Sequence, residues 1–247
     1  MTQLPPELEQ LNAMGLLAPP QQMHRALHRH PDDLSPPRQP RWTLHPVKTR
    51  YNRLDGLQAE DLATYQAIHQ RVVIEQQPAS LEELKSLRQL VQRYPELPVL
   101  ENLQAYVWKL SGNSEKYRQL NQEMLLKYPD YLFARTNLAQ ALLLRGESDA
   151  VPELLKHSSD IGGFDPEPDR LFHISEMAAY YHVLCLWCLQ TGRLVRAAYA
   201  FALVYHPYPA FADLHLLISA WLALPEDQRA ELSHKLQAGR KLKALKR

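Results

Sequence analysis

Glycine is scarce in this chain, with eight in 247 residues, while proline is frequent, with nineteen. Helical units separated by proline breaks account for that mixture. Cysteine is rarer still. Cys185 and Cys188 are the only two, and three residues apart on one expected helix they do not suggest a disulfide framework. Neither sign of charge dominates: 28 lysines and arginines face 27 acids, for a formal net charge of +1. Bulk charge therefore selects neither nucleic acid nor membrane as a partner. No stretch approaches the roughly 18–20 uninterrupted apolar residues of a membrane span. Residues Met1 to Leu8 carry no basic segment and no apolar run of signal-peptide length. The expected location is soluble, reducing and cytoplasmic.

Catalytic motifs are missing too. There is no glycine-rich phosphate loop, nucleophile elbow or zinc-protease helix. His182, Cys185 and Cys188 are spaced to lie along one helix, but one helix cannot wrap a tetrahedral ion, and buried cysteine behaves as a small hydrophobe. His24, His28 and His30 read as the polar face of a short helix. The acids of residues 158–170 lack the ordered oxygen spacing of a calcium loop. Neither a metal, a cofactor nor an enzymatic activity is expected.

What is present is a fixed step. Pro95 and Pro129 lie 34 residues apart, as do Gly112 and Gly146. Each glycine separates two apolar segments, and each proline follows the second. A step of 34 with that punctuation is the mark of stacked helical hairpins. From Leu57 onward the helical period is continuous. Leu62, Tyr65, Ile68, His69, Val72 and Val73 make one face, and Ser80 with Glu83 predicts a capping box ahead of Leu81, Leu84, Leu87, Leu90 and Val91.

Residues 1–57 differ in composition. Short helices are expected around Pro6–Met14 and Pro20–His30. Beyond them Pro31, Pro36, Pro37, Pro40 and Pro46 exclude helical periodicity, so this arm is expected to be partly extended. It is basic, with Arg38, Arg41, Lys48, Arg50 and Arg53 interleaved with Trp42 and Tyr51, and Asp32 and Asp33 as nearby acids. Two readings stand: a linker or an arm packed back on the helices, and a recognition arm for an acidic partner or a nucleic-acid backbone. The acidic stretch 158–170, with Gly162-Gly163, Pro166 and Pro168, reads either as a tolerated insertion or as a working loop, the latter being where an enzyme subunit would seat its chemistry.

Between about residues 59 and 246 the chain resembles the tetratricopeptide repeat (TPR) family. Ala134, Asn137, Leu138, Ala139, Leu142 and Gly146 stand in the family's first-helix pattern. Tyr181, Leu184, Cys185, Cys188, Gly192, Ala197, Phe201, Val204 and Pro209 repeat the core positions. Gln104, Tyr117 and Asn121 depart from it. The resemblance implies an all-α fold, a right-handed α-solenoid of hairpins at about 58–95, 97–129, 131–157, 170–207 and 210–246, behind the proline-rich arm. It also implies a concave groove lined by Asn102, Tyr106, Lys109, Phe133, Asn137, Gln140, His182 and Leu186. Such a groove holds an internal peptide segment or amphipathic helix of a partner protein, which makes the expected function that of a non-catalytic adaptor or chaperone-like subunit. The family's clamp for a terminal carboxylate is not expected, because Asn102, Tyr106, Ala179 and Val183 replace its cationic pattern and only Asn137 fits.

Overall fold

A computed structural model describes residues 4–35, 37, 40–45, 47, 51, 54–164 and 170–244. Among them the fold is overwhelmingly helical, with a single two-residue strand pair. The chain divides into two compact units, and the boundary is not the one expected at residue 57. One unit joins Met1–Leu44 to Leu142–Arg247; the other is His45–Ala141.

The first unit is built around a helical hairpin. Helices α1 (Pro6–Ala13) and α2 (Pro20–Arg29) open the chain, each with proline in its first turn, where a missing N–H costs nothing. The central hairpin is α10 (Ile174–Gln190) and α11 (Leu194–Tyr205). Every α11 residue from Val195 to Val204 is buried, which requires partners on all sides. α10, α2, α12 (Leu214–Leu222) and α13 (Glu226–Ala244) supply them. Ala197, Ala198, Ala200 and Ala202 keep α11 slim enough for that crowding.

The N-terminal segment is thus part of a core. Leu11, Leu16, Met23, Ala26 and Leu27 are buried, and the reason they stay there is partly ionic. Arg196 is buried within α11, and both carboxylate oxygens of Asp32 accept from it at 2.6 Å. The Leu34 carbonyl accepts from the same guanidinium at 3.1 Å. Next door, Arg193 grips Asp33 through two bonds of 2.8 Å, and Ser159 donates to the Ser35 carbonyl at 2.8 Å. Further along, β1 (Trp42–Thr43) pairs in parallel with β2 (Phe172–His173), immediately ahead of α10.

The expected hairpin at 131–157 lacks a full second helix. α8 (Val151–Leu154) is one turn long, because Lys156 and His157 both adopt φ of 52° and leave the helical path. A second single turn, α9 (Ile161–Phe164), then buries Ile161 and Phe164 beneath α10. The first part of the acidic stretch is therefore packed, with Ser159 and Asp160 buried as well. Asp165, Glu167 and Asp169 lie outside the described residues.

The second unit holds α3 (Ala59–His69), continued by a π turn at Gln70–Ile74, then α4 (Leu81–Arg93), α5 (Pro98–Leu110), α6 (Ser114–Lys127) and most of α7 (Leu132–Leu143). The capping box forms: Glu83 N–H donates to Ser80 Oγ at 3.2 Å, and Ser80 N–H to Glu83 Oε2 at 2.6 Å. Gly112 closes α5 with φ of 76°, and the Asn113 N–H reaches back to the Trp108 carbonyl. Gly146, one step of 34 later, has φ of 77° and the same closure from Glu147 to Leu142. Tyr65, Ile68, Val72, Leu87, Leu90, Leu100 and Leu103 form the core between α3, α4 and α5. Its edge is tied by Asp61, which accepts from Arg93 at 2.6 and 2.7 Å and from the Tyr94 hydroxyl at 2.7 Å.

Trp108 is the only tryptophan between residues 45 and 141, so its resolved indole NMR resonance reports the second unit alone. Replacing Asp32 by Asn leaves the Arg196 charge buried without its counter-ion. It is expected to cost the first unit about 3–5 kcal/mol, while Asp32→Leu with Arg196→Met recovers most of that loss. Urea unfolding of both variants checks this. The hydrogen bonds from Tyr94 and Arg93 hold the Asp61 carboxyl below its usual range. Their contribution is complete above the unfolded carboxyl's pKa of about 3.9 and is lost as pH falls through the lower native value. In acid titrations followed at Trp108, Asp61→Asn is expected to flatten the stability loss between about pH 5 and pH 2.

Candidate interaction face

α5 and α7 place six of the eight expected groove residues on one connected face of the second unit. Asn102, Tyr106 and Lys109 recur at helical spacing on α5, and Phe133, Asn137 and Gln140 do so on α7. Asn137 Nδ2 donates to Asn102 Oδ1 at 2.9 Å, and Lys109 Nζ donates to Gln140 Oε1 at 3.3 Å. The same ammonium lies 5.2 Å from the centre of the Tyr106 ring. Tyr106 in turn accepts from Gln76 Nε2 at 3.0 Å. Asn102, Tyr106, Lys109, Phe133 and Asn137 are half-buried, whereas Gln140 is 4% exposed.

Asn137 works inward as well as outward. Its second amide hydrogen goes to Asn121 Oδ1 at 3.1 Å. Asn121 is fully buried, and its own Nδ2 donates to the Tyr117 carbonyl at 2.8 Å. This accounts for Asn121, one of the two unexpected residues in α6. An amide is tolerated where an apolar residue is expected because Asn137 and a helix carbonyl satisfy it. Both donors of Asn137 are spent on this network, so neither is offered to a peptide carbonyl.

His182 and Leu186 do not belong to this face. Both lie on α10 in the first unit, 2% and 7% exposed, with the His182 ring 5.4 Å from that of Phe211. α10 is surrounded by core, so neither side chain meets solvent enough to receive a partner. Cys185 and Cys188 are buried on the same helix, and Cys185 Sγ donates to the Ala197 carbonyl at 3.4 Å. Burial pushes the Cys188 thiol up to about 12 and also holds that of Cys185 well above its ordinary value. Both stay protonated and unreactive at neutral pH.

The basic arm is divided between the units. Trp42 lies in β1, 39% exposed, and the Arg41 carbonyl accepts from the Phe172 N–H at 3.1 Å, both in the first unit. Tyr51 belongs to the second, with its ring 6.2 Å from Tyr128 and 5.5 Å from Tyr131. Arg38, Lys48, Arg50 and Arg53 lie outside the described residues. Histidines 24 and 28 meet edge-on at 4.5 Å; His28 is exposed on α2, while half-buried His24 reaches the Tyr199 ring of α11 at 5.5 Å.

Among the described residues no three metal-binding side chains converge, and no helix is long and apolar enough to cross a membrane. Sequence reasoning overlooked the Asp32–Arg196 joint. Its signal was an arginine set inside an otherwise apolar helix, opposite the one acidic pair of a basic arm.

Asn137→Ala is expected to strip the donor from the buried Asn121 oxygen and to destabilise the second unit by about 1–3 kcal/mol. Urea unfolding read at Trp108, with no partner present, measures it. Compared with protein-family models, with curated proteins and with solved structures, the chain gives no match.

Proposed function

We propose that this protein is a non-catalytic interaction scaffold, an adaptor or chaperone-like subunit. Its helical hairpins are taken to stack as a right-handed, TPR-like solenoid that presents the α5–α7 face to a partner protein. The observation that carries the reading is the sharing of one half-open face by Tyr106, Phe133, Lys109 and the Asn102–Asn137 pair, in the second unit alone. Aromatic rings that are part-buried yet reachable provide rigid apolar area at small entropic cost, which is what anchors an interface. Lys109 is held in place between a ring and an amide oxygen, so its ammonium is oriented before any partner arrives.

The face suits an internal peptide segment or the side of an amphipathic helix. Its width of two neighbouring first helices matches what an extended chain or a helix covers. Binding by aromatic, amide and aliphatic contact loses little affinity with salt, in contrast to the steep loss expected if the basic arm gripped a nucleic-acid backbone.

The test is affinity capture from the native host with the full chain as bait, followed by a titration of the captured partner. Tyr106→Ala with Phe133→Ala is expected to weaken that partner at least about tenfold, on the scale of aromatic anchors at interfaces, while leaving the helical circular dichroism intact. An undiminished affinity would remove the α5–α7 face from consideration. Captured nucleic acid released by moderate salt would replace the proposal with the arm-based reading.

A further inference from the structure

Two leucines seat α13 on the rest of the first unit. Leu232 and Leu236 are buried, Leu236 lies against the turn at Gly15, and Gln237 Nε2 donates to the Ala13 carbonyl at 3.2 Å. The helix rests on α2 and α11. His30, which closes α2, faces His234 and Lys235 of α13. Its Nε2 is buried and has no hydrogen-bond partner among the described residues. A ring nitrogen so placed tolerates the neutral imidazole far better than the charged one.

The groups around His30 are cationic. Arg29 precedes it on α2, and Lys235 and His234 face it from α13. Glu231, the acid one turn before Lys235, is bonded to that ammonium at 2.5 Å. On the α11 side Arg196 and Arg193 hold Asp32 and Asp33, so the two carboxylates that follow His30 in sequence are taken. His206, at the end of α11, pairs with the Ala18 carbonyl just ahead of α2, and His24 packs on Tyr199.

We propose that His30 is a pH-sensitive latch for α13: the helix is docked while the imidazole is neutral and is released when His30 takes up a proton. Protonation sets a cation beside Arg29, Lys235 and His234, with no carboxylate bonded to it among the described residues. Undocking relieves this, because it returns the ring to water and carries two of those groups away. Burial first, and those neighbours after it, hold the His30 value below the ordinary histidine range. The docked state therefore binds fewer protons than the released one. The latch is complete above about pH 6.5, the free histidine value, and is lost as pH falls through the lower docked value. The opening is local to α13, which is held by few joints, whereas α10 and α11 are buried along their length. Release uncovers the apolar surface that Leu232 and Leu236 now cover.

The experiment is amide hydrogen exchange on the full chain at about pH 7.5 and about pH 5.5, one unit either side of free histidine. Protection is corrected for the intrinsic pH dependence of exchange. In residues 229–237 of α13 it is expected to fall by up to about tenfold at the lower pH, the ceiling for one histidine read a unit below its free value. α10 keeps its protection. His30→Gln, which takes up no proton in this range, is expected to lose most of the fall. Lys235→Met leaves the imidazole, removes a facing cation, and is expected to shrink it. A merely structural role for His30 lowers protection at both pH values and leaves their ratio as it was, so a ratio unchanged in His30→Gln overturns the proposal. Protection of α13 that does not vary with pH overturns it too. An equal loss in α10 does the same, because acid then loosens the whole unit and not the latch.

Discussion

A charged side chain inside an otherwise apolar helix dictates how the first unit is put together. α11 is buried on all sides, and Arg196 stands within it, 2% exposed. A guanidinium there is tolerable only with a counter-ion in bonding geometry. That counter-ion is Asp32, 164 residues earlier in the chain. Its arrival brings α2 against α11, puts Asp33 in reach of Arg193, and sends the following residues towards β2 at the entrance to α10. Without Asp32 the helix that centres the unit would carry an unpaired buried charge. The N-terminal stretch, by composition an arm, is in this way a structural member.

The second unit solves a smaller version of the same problem with neutral groups. Asn121 is an amide buried among apolar side chains, and Asn137 from α7 and the Tyr117 carbonyl satisfy it. The bonds that stabilise α6 against α7 therefore run through a residue on the outer face. Face and core are coupled: Asn137 ties Asn102 and Asn121 together, so a change made to probe binding at that position also loosens the packing beneath it. Tyr106 and Phe133 are better probes because they are part-buried at the edges of the neighbouring cores.

Local physical chemistry was legible in the linear chain where it acts over a few residues. The Ser80–Glu83 box needs only a hydroxyl and a carboxylate three apart, and it forms. The glycines 34 apart both take the left-handed conformation that ends a helix. Proline in the first turn of α1, α2 and α5 starts each helix at the expected place. Each of these is decided by backbone sterics and short-range hydrogen bonding, and none needs knowledge of the fold.

Residue type and spacing by themselves determined that the chain is helical and where its proline-led and capped helices begin. Tertiary structure alone decided the rest. It put His182 and Leu186 into a core, because α10 is covered by neighbours that its own periodicity does not reveal. It split the basic stretch between two units and cut the hairpin after α7 to a single turn. The short α8 follows the left-handed backbone at Lys156 and His157, whereas the other two share one physical reason. Periodicity reports which residues lie together on one element, whereas exposure depends on what other elements bring to that surface, and here the deciding contact joins residues 32 and 196.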